Sequence, residues 1–317
     1  MSNKEKYISF AEKKEGLPLF FQPWWLECVC KGRWDVLIYE EHDEILAAMV
    51  YLLHNTHGFT TMVAPPLTPF CGIYSKEVEK KTLSARYTWE NKITEYFAKE
   101  IDSLNYSYIS LPLSTQTECW LGFYWNRFSS QLRYTYQLDV QDMEQCREGF
   151  SRIVNRKIKA GEETLNIIHS LDNLPELYKD LQQTFASQKM AAPVSYSAFE
   201  EIIQQAEKRN QGKLFQAVDK ENKVQAFLFV AWDNTTCYSL LSAIKEKENQ
   251  QSAQALLHCH AIEHAHNLGL KTYDFEGSMI KGVENFFRAF GGKRCPYICI
   301  QKSNSKLFSF LKKIKNH

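Results

Sequence analysis

No apolar run in this 317-residue chain approaches the ~18–20 residues a helix needs to cross a bilayer, so no membrane-spanning helix is expected. The first residues, Met1 to Tyr7, are charged and lack an apolar stretch followed by a small-residue cleavage site, which argues against a secretory leader and makes the cytoplasm the expected address. No tract is dominated by Pro, Gly or Ser, and this excludes long linkers and low-complexity tails. Excess charge of one sign is also missing. The net charge is +1, so the chain as a whole exerts no strong pull on nucleic acid or on a membrane surface. Nine cysteines are present, but their odd number and irregular spacing lack the regularity of a disulfide framework and suit reduced thiols. Cys28-Val-Cys30 has no second pair to complete a metal site.

What the chain does have is 44% hydrophobic and 14% aromatic residues, enough apolar surface to fold throughout, and a length suited to two domains. The hydrophobic pattern runs through one plan twice. In the first half, strands at 34–39 (WDVLIY) and 45–53 (ILAAMVYLL) and a third across 54–58 form a meander. A long helical stretch (76–104), a short strand (106–113), an aromatic helix (118–128) and a strand (132–140) follow. The second half repeats the order: strands at 214–218, 224–231 and 236–243, a helix at 252–268 ending before Gly269, a strand at 271–275, a helix at 283–290 and a strand at 297–301. ILAAMVYLLHN lies over VQAFLFVAWDN, and Tyr124-Trp125-x-x-Phe128 over Phe286-Phe287-x-x-Phe290. The pattern predicts a duplicated α+β architecture, each half a mostly antiparallel sheet flanked by helices. The boundary falls near residue 141, giving domains 1–141 and 142–317, and a basic helical segment (142–163) with Arg147, Arg152, Arg156, Lys157 and Lys159 opens the second.

The segment Tyr273 to Gly292, YDFEGSMIKGVENFFRAFGG, resembles the C-terminal signature of Fem-type peptidyltransferases and their acetyltransferase-like relatives. In these, a strand ending in Tyr-Asp-Phe-x-Gly leads into a Phe-Lys-x-x-Phe-Gly helix. Asn155 to Ala160, NRKIKA, is similar to the basic Ile-Arg-Lys-Ala helix that opens their second domain. The resemblance covers essentially the whole chain. It implies two tandem GNAT-like domains and transfer of an acyl or aminoacyl group to an amine, the acceptor being a small molecule or a cell-envelope precursor. Two departures stand out: Arg288 replaces the usual lysine, and no heptad segment supplies a coiled-coil arm.

Period-two alternation puts Asp274 and Glu276, with Ser278, on one side of a strand end. There a carboxylate of raised pKa can accept a proton from an attacking amine; the structural alternative is that Asp274 caps the turn while Glu276 pairs with Arg288 or Lys281. Arg288 suits an oxyanion or a phosphate, or else a surface ion pair. Gln250, Gln251, Ser252 and Ala253 stand where GNAT enzymes carry the glycine-rich loop whose amides cradle coenzyme A pyrophosphate. Alanine in place of the key glycine weakens that match. His260 and His264, at i and i+4, share a helix face with apolar residues and lack a third ligand, so no metal is expected. The basic tail, Lys306 to Lys315, reads as a last helix docked on the second domain. An acyl thioester such as acyl-CoA is favoured as donor over aminoacyl-tRNA, whose phosphates would need a cationic track. A non-catalytic ligand-binding module on the same duplicated fold is the alternative reading.

Overall fold

The structure is a computed structural model; it describes residues 1–56, 58–76, 82–245, 250–277 and 279–308, without the side chains of Thr56, Gln250 and Gln251. In chain order the helices and strands are α1 (Asn3–Lys13), α2 (Pro23–Cys30), β1 (Trp34–Glu41), β2 (Glu44–Thr56), β3 (Phe59–Val63), β4 (Ile73–Ser75), α3 (Leu83–Ser103), β5 (Tyr108–Pro112), α4 (Leu121–Trp125) and β6 (Ser129–Asp139). The second half continues with α5 (Met143–Glu148), α6 (Arg152–Thr164), β7 (Asn166–Ile168), α7 (Leu174–Ser187), α8 (Tyr196–Lys208), β8 (Gly212–Val218), β9 (Val224–Trp232), β10 (Thr236–Ile244), α9 (Gln250–Asn267), β11 (Thr272–Asp274), α10 (Lys281–Arg288) and β12 (Lys293–Ser303). Two compact units result. One comprises Met1–Arg133 with Pro296–His317, the other Tyr134–Cys295.

Within the first unit β1, β2 and β3 pair antiparallel in sequence, β3 pairs parallel with β5, and β5 pairs antiparallel with β12 through registers such as Leu111 with Ile300. The second unit follows the same rule: β8, β9 and β10 antiparallel, β10 parallel to β11, β11 antiparallel to β6. The helix carried by each parallel crossover is α3 in one unit and α9 in the other, and the short aromatic helices α4 and α10 recur in register. The repeat read from the sequence is therefore one of topology.

The expected single boundary near residue 141 gives way to two crossings. β6 follows α4 in sequence yet pairs with β11, and β12 follows α10 yet pairs with β5. Each unit is closed by the strand that the other half of the chain contributes. The start of the basic tail packs on the first unit: Phe308 stacks on Tyr108 with ring centroids 5.3 Å apart and meets Phe59 edge-on. The remainder of that tail, from residue 309, lies outside the described residues.

The core of the second unit forms where α9 lays Ala253, Leu257, Ala261, Ile262 and Ala265 against Phe215, Leu228, Val230 and Tyr273 of the sheet. Apolar residues three and four apart make this stripe, which is what holds a helix on a sheet. Gly269 ends α9 as the sequence predicts, at φ 73°, and the Leu270 amide returns to the Ala265 carbonyl at 3.1 Å.

Candidate functional site

β10 and β11 run together only from Thr236 to Tyr238 and from Thr272 to Asp274. β11 stops there and β10 continues to Ile244. Beyond the end of the pairing the second unit holds a cavity of about 470 Å³. Its walls are Ser242 and Ile244 of β10, Gln254 and His258 of α9, one face of α10 with Val283, Phe286 and Phe287, and side chains from α6 and the end of α7. That is the size of a small-molecule site, and most of its lining is apolar.

His258 is the wall residue that the sequence reading passed over. It is 2% exposed and sits in a box of aromatic rings, with Phe275, Phe286, Phe287 and Phe290 at centroid distances of 5.3 to 5.8 Å. Its Nδ1 lies 2.8 Å from the Tyr273 hydroxyl. Burial lowers its pKa from the usual 6.5 to about 3, so the ring is neutral at physiological pH. Ser239 hydrogen-bonds the Tyr273 phenol and favours its charged form, as a hydroxyl donating to the phenolic oxygen does. With the Tyr273 hydroxyl donating to Nδ1, the neutral ring carries its own proton on Nε2.

Asp274 and Glu276 lie immediately behind this pair. Asp274 is fully buried and accepts hydrogen bonds from Thr135 Oγ1, from Gln137 Nε2 at 2.8 Å and from the Glu276 amide at 2.7 Å. Burial still raises its pKa above the ordinary aspartate value. The turn-capping role considered for it is thus present. Glu276 takes φ 61°, uncommon for a residue with a side chain, and this turns the chain out of the strand's alternation. Its Oε1 is buried with no hydrogen-bond partner. Burial, and then the charge of Asp274, push its pKa well above the ordinary glutamate value. Tyr273 feels the charge of both carboxylates. Ser278, placed beside them by alternation, lies outside the described residues.

Gly277 follows at φ 58°, where a Cβ would lie 2.1 Å from the Tyr134 carbonyl oxygen and 2.6 Å from Thr135 Cα. The atoms met are backbone of β6, so no flexible side-chain end can yield. Gly277→Ala is expected to destabilise the protein by about 1–3 kcal/mol or more, read as a lowered midpoint in a thermal melt followed by circular dichroism; an unchanged midpoint would mean that the turn is not held against β6.

Arg288 takes the surface role. Its side chain is 56% exposed and bonds Glu284 at 3.0 Å, one helical turn back, and Asn285 at 2.7 Å. Among the described residues it does not line the cavity, and neither carboxylate does. The proposed pyrophosphate cradle fares differently along its length. Ala253 is 2% exposed and belongs to the core, so it packs and does not open onto a ligand. At Ser252 the helix lies against α6, close enough that a Cβ on Gly161 would come 3.0 Å from the Ser252 carbonyl. The Gln250 and Gln251 side chains lie outside the description.

His260 and His264 meet the ring of Phe215 edge-on, at 4.9 and 5.4 Å, and His264 also meets Trp232, which is the packing role the spacing allowed. Among the described residues no group of three or more His, Cys, Asp or Glu is placed to hold a metal. All nine cysteines are thiols. The first unit has a larger cavity, about 770 Å³, beside α3, but its charges already answer one another: Arg86 pairs with Glu90 and Glu118, and Lys76 with Glu44.

Residues 145–288 match the family described as an acetyltransferase (GNAT) domain. No curated protein matches the chain. Among solved structures, FemX superposes with a TM-score of 0.64 at 12% identity, over 94% of this chain and 96% of that one. L-PGS from Bacillus licheniformis superposes at 0.61 and 12%, over 98% and 96%. A tandem GNAT protein from the clavulanic acid biosynthesis pathway gives 0.54 at 8%, over 95% and 94%. At these identities the likeness establishes the fold.

Proposed function

We propose that this chain, two tandem GNAT-like domains with an acetyltransferase (GNAT) domain at residues 145–288, moves an acyl or aminoacyl group onto an amine in the cavity of its second unit. The observation that carries the reading is the neutral His258 at the wall of that cavity, locked by Tyr273 and backed by two buried carboxyls of raised pKa. Perturbed groups of this kind beside a concave site are where catalytic residues are found. The amine attacks the acyl carbonyl. A C–N bond forms, the C–S bond of a thioester or the C–O bond of an aminoacyl ester breaks, and the amine proton leaves while the departing thiolate or alkoxide gains one. His258 Nε2–H donates to the carbonyl oxygen as negative charge gathers there. The proton the amine loses is the one the departing thiolate or alkoxide gains; Glu276, behind the wall and held protonated by burial, keeps negative charge away from the reacting centre, and Asp274 fixes the turn that holds it.

The donor we favour is an acyl thioester such as acyl-CoA, and the acceptor an amine on a small molecule or a cell-envelope precursor. FemX and the C-terminal domain of a putative lysylphosphatidylglycerol synthetase share the fold, and this keeps aminoacyl-tRNA as the competing donor. The exposed Arg152, Arg156 and Lys159 of α6 are its cationic track. The second reading is a binding module on the same duplicated fold that recognises such a ligand without turning it over.

Purified protein supplied with acetyl-CoA, longer acyl-CoAs and charged tRNA, beside a panel of amines, is expected to form amide with a thioester. Arg288→Ala is expected to stay within about twofold of the wild-type rate, since exposed i,i+4 pairs contribute little. Salt-sensitive submicromolar tRNA binding with no thioester binding would reverse the choice of donor. Binding without product in every pairing would establish the module.

A further inference from the structure

On the premise of that transfer site, we infer that the group its cavity receives is an uncharged, extended hydrocarbon acyl chain, longer than acetyl and distinct from a cationic aminoacyl side chain. The lining comes from Ile153, Val154, Ile244, Val283, Phe286 and Phe287, with Ala289 at the end of α10. No Asp or Glu lines it among the described residues, and the one cation there is Lys157. An ammonium such as a lysyl side chain would meet a like charge and no counter-ion.

Three of the polar groups on the wall are engaged within the protein. Gln254 Nε2 donates to the Ala243 carbonyl at 3.2 Å, Thr184 Oγ1 to the Asp180 carbonyl at 3.0 Å, and Asn285 Oδ1 accepts from Arg288. A ligand rich in amides or hydroxyls would face mostly apolar side chains there, and each of its groups left unpaired carries a desolvation cost. An acetyl group would fill little of about 470 Å³. A chain of methylenes satisfies both the volume and the walls, with its carbonyl presented to His258.

The length preference can be altered where nothing else is disturbed. Gly282 lines the cavity, and a Cβ built on it meets no atom within 4 Å. Gly282→Phe therefore adds bulk at the wall from a Cβ that has room. Val283→Ala widens it by removing two methyl groups from a half-buried position.

The test is calorimetric titration of the full-length protein with acetyl-, butyryl-, octanoyl- and dodecanoyl-CoA, with free CoA as the reference for the nucleotide end. Affinity is expected to rise about fourfold per added methylene until the cavity is filled. The plateau should come at a shorter chain in Gly282→Phe and at a longer one in Val283→Ala. Affinity flat along the series, tightest for acetyl, or undetectable for every member overturns the inference, as does a plateau that neither variant moves. The same preparations are assayed for amide formation. Chain-dependent binding with no product from any amine leaves this inference standing and removes the transferase reading; product from acetyl-CoA with flat binding does the reverse.

Discussion

Glu276→Gln is expected to raise the thermal midpoint at every pH above 4.5, by more as pH climbs toward the raised value of the carboxyl, with the gap closing below pH 4.5. The Glu276 carboxyl is buried, Oε1 has no partner, and Asp274 adds a second negative charge beside it. Both influences favour the protonated form in the folded protein. In the unfolded chain the group ionises at its ordinary value near 4.5. Between that value and the raised one the folded state holds a proton that the unfolded state has released, so stability falls as pH rises. The slope is at most about 1.4 kcal/mol per pH unit for one proton. Gln has nearly the same shape and no proton to lose.

Comparing the variant with wild type removes the other titrations from the result. Burial lowers His258 to about 3 and His264 to about 4. Their contribution is complete above the ordinary histidine value and is lost as pH falls from 6.5 toward those figures, opposite in sign to that of Glu276. It is common to both proteins and cancels in the difference. Melting curves at half-unit intervals from pH 4 to 8.5 measure it. A gap that does not change with pH would mean that Glu276 is ionised in the folded protein.

Much of the fold was legible because local pattern decides it. β2 and β9 are long apolar strands whose neighbours pair through short turns, and α3 and α9 carry apolar residues at helical spacing against their sheets. The exchange of closing strands was not legible. β6 and β12 each follow an aromatic helix and each alternates like an edge of either sheet, so nothing in their own residues names the partner; the distant registers with β11 and β5 decide that. At the site, period two separates Asp274, which bonds Thr135 and Gln137, from Tyr273, which meets His258. It loses Glu276, because a left-handed residue after the strand's end breaks the period.

Arg288 was readable as a surface residue, since Glu284 stands four positions earlier on the same helix, the spacing of an ion pair. His258 was hidden among His260, His264 and His266. Helical spacing separates them, with His260 and His264 on the face that meets Phe215 and His258 turned toward Phe286 and Phe287 of α10. A buried histidine one helical turn after the buried Gln254 was the available signal.

His258→Phe is expected to lower kcat about 10²- to 10³-fold with KM little changed, the loss that follows removal of one preorganised donor to a developing oxyanion. Phe is at home in the ring box around position 258, so packing is largely kept. It leaves the Tyr273 hydroxyl without its acceptor, at about 1–3 kcal/mol of stability. The double variant His258→Phe/Tyr273→Phe removes that orphan and should recover stability without recovering rate. Tyr273→Phe alone keeps the donor and frees its tautomer, so a fall of up to about tenfold in kcat is expected, and the three variants together form a cycle that separates the pair's coupling from either part. The pH profile distinguishes donor from base. A ring whose pKa is about 3 stays neutral from pH 5 to 8 and contributes no limb there, whereas a general base would show one near its titration. Steady-state rates for the four proteins from pH 5 to 9 decide the matter: a single variant His258→Phe within threefold of wild type ends the donor role, and a limb near pH 6.5 that vanishes with His258 reassigns it as the base.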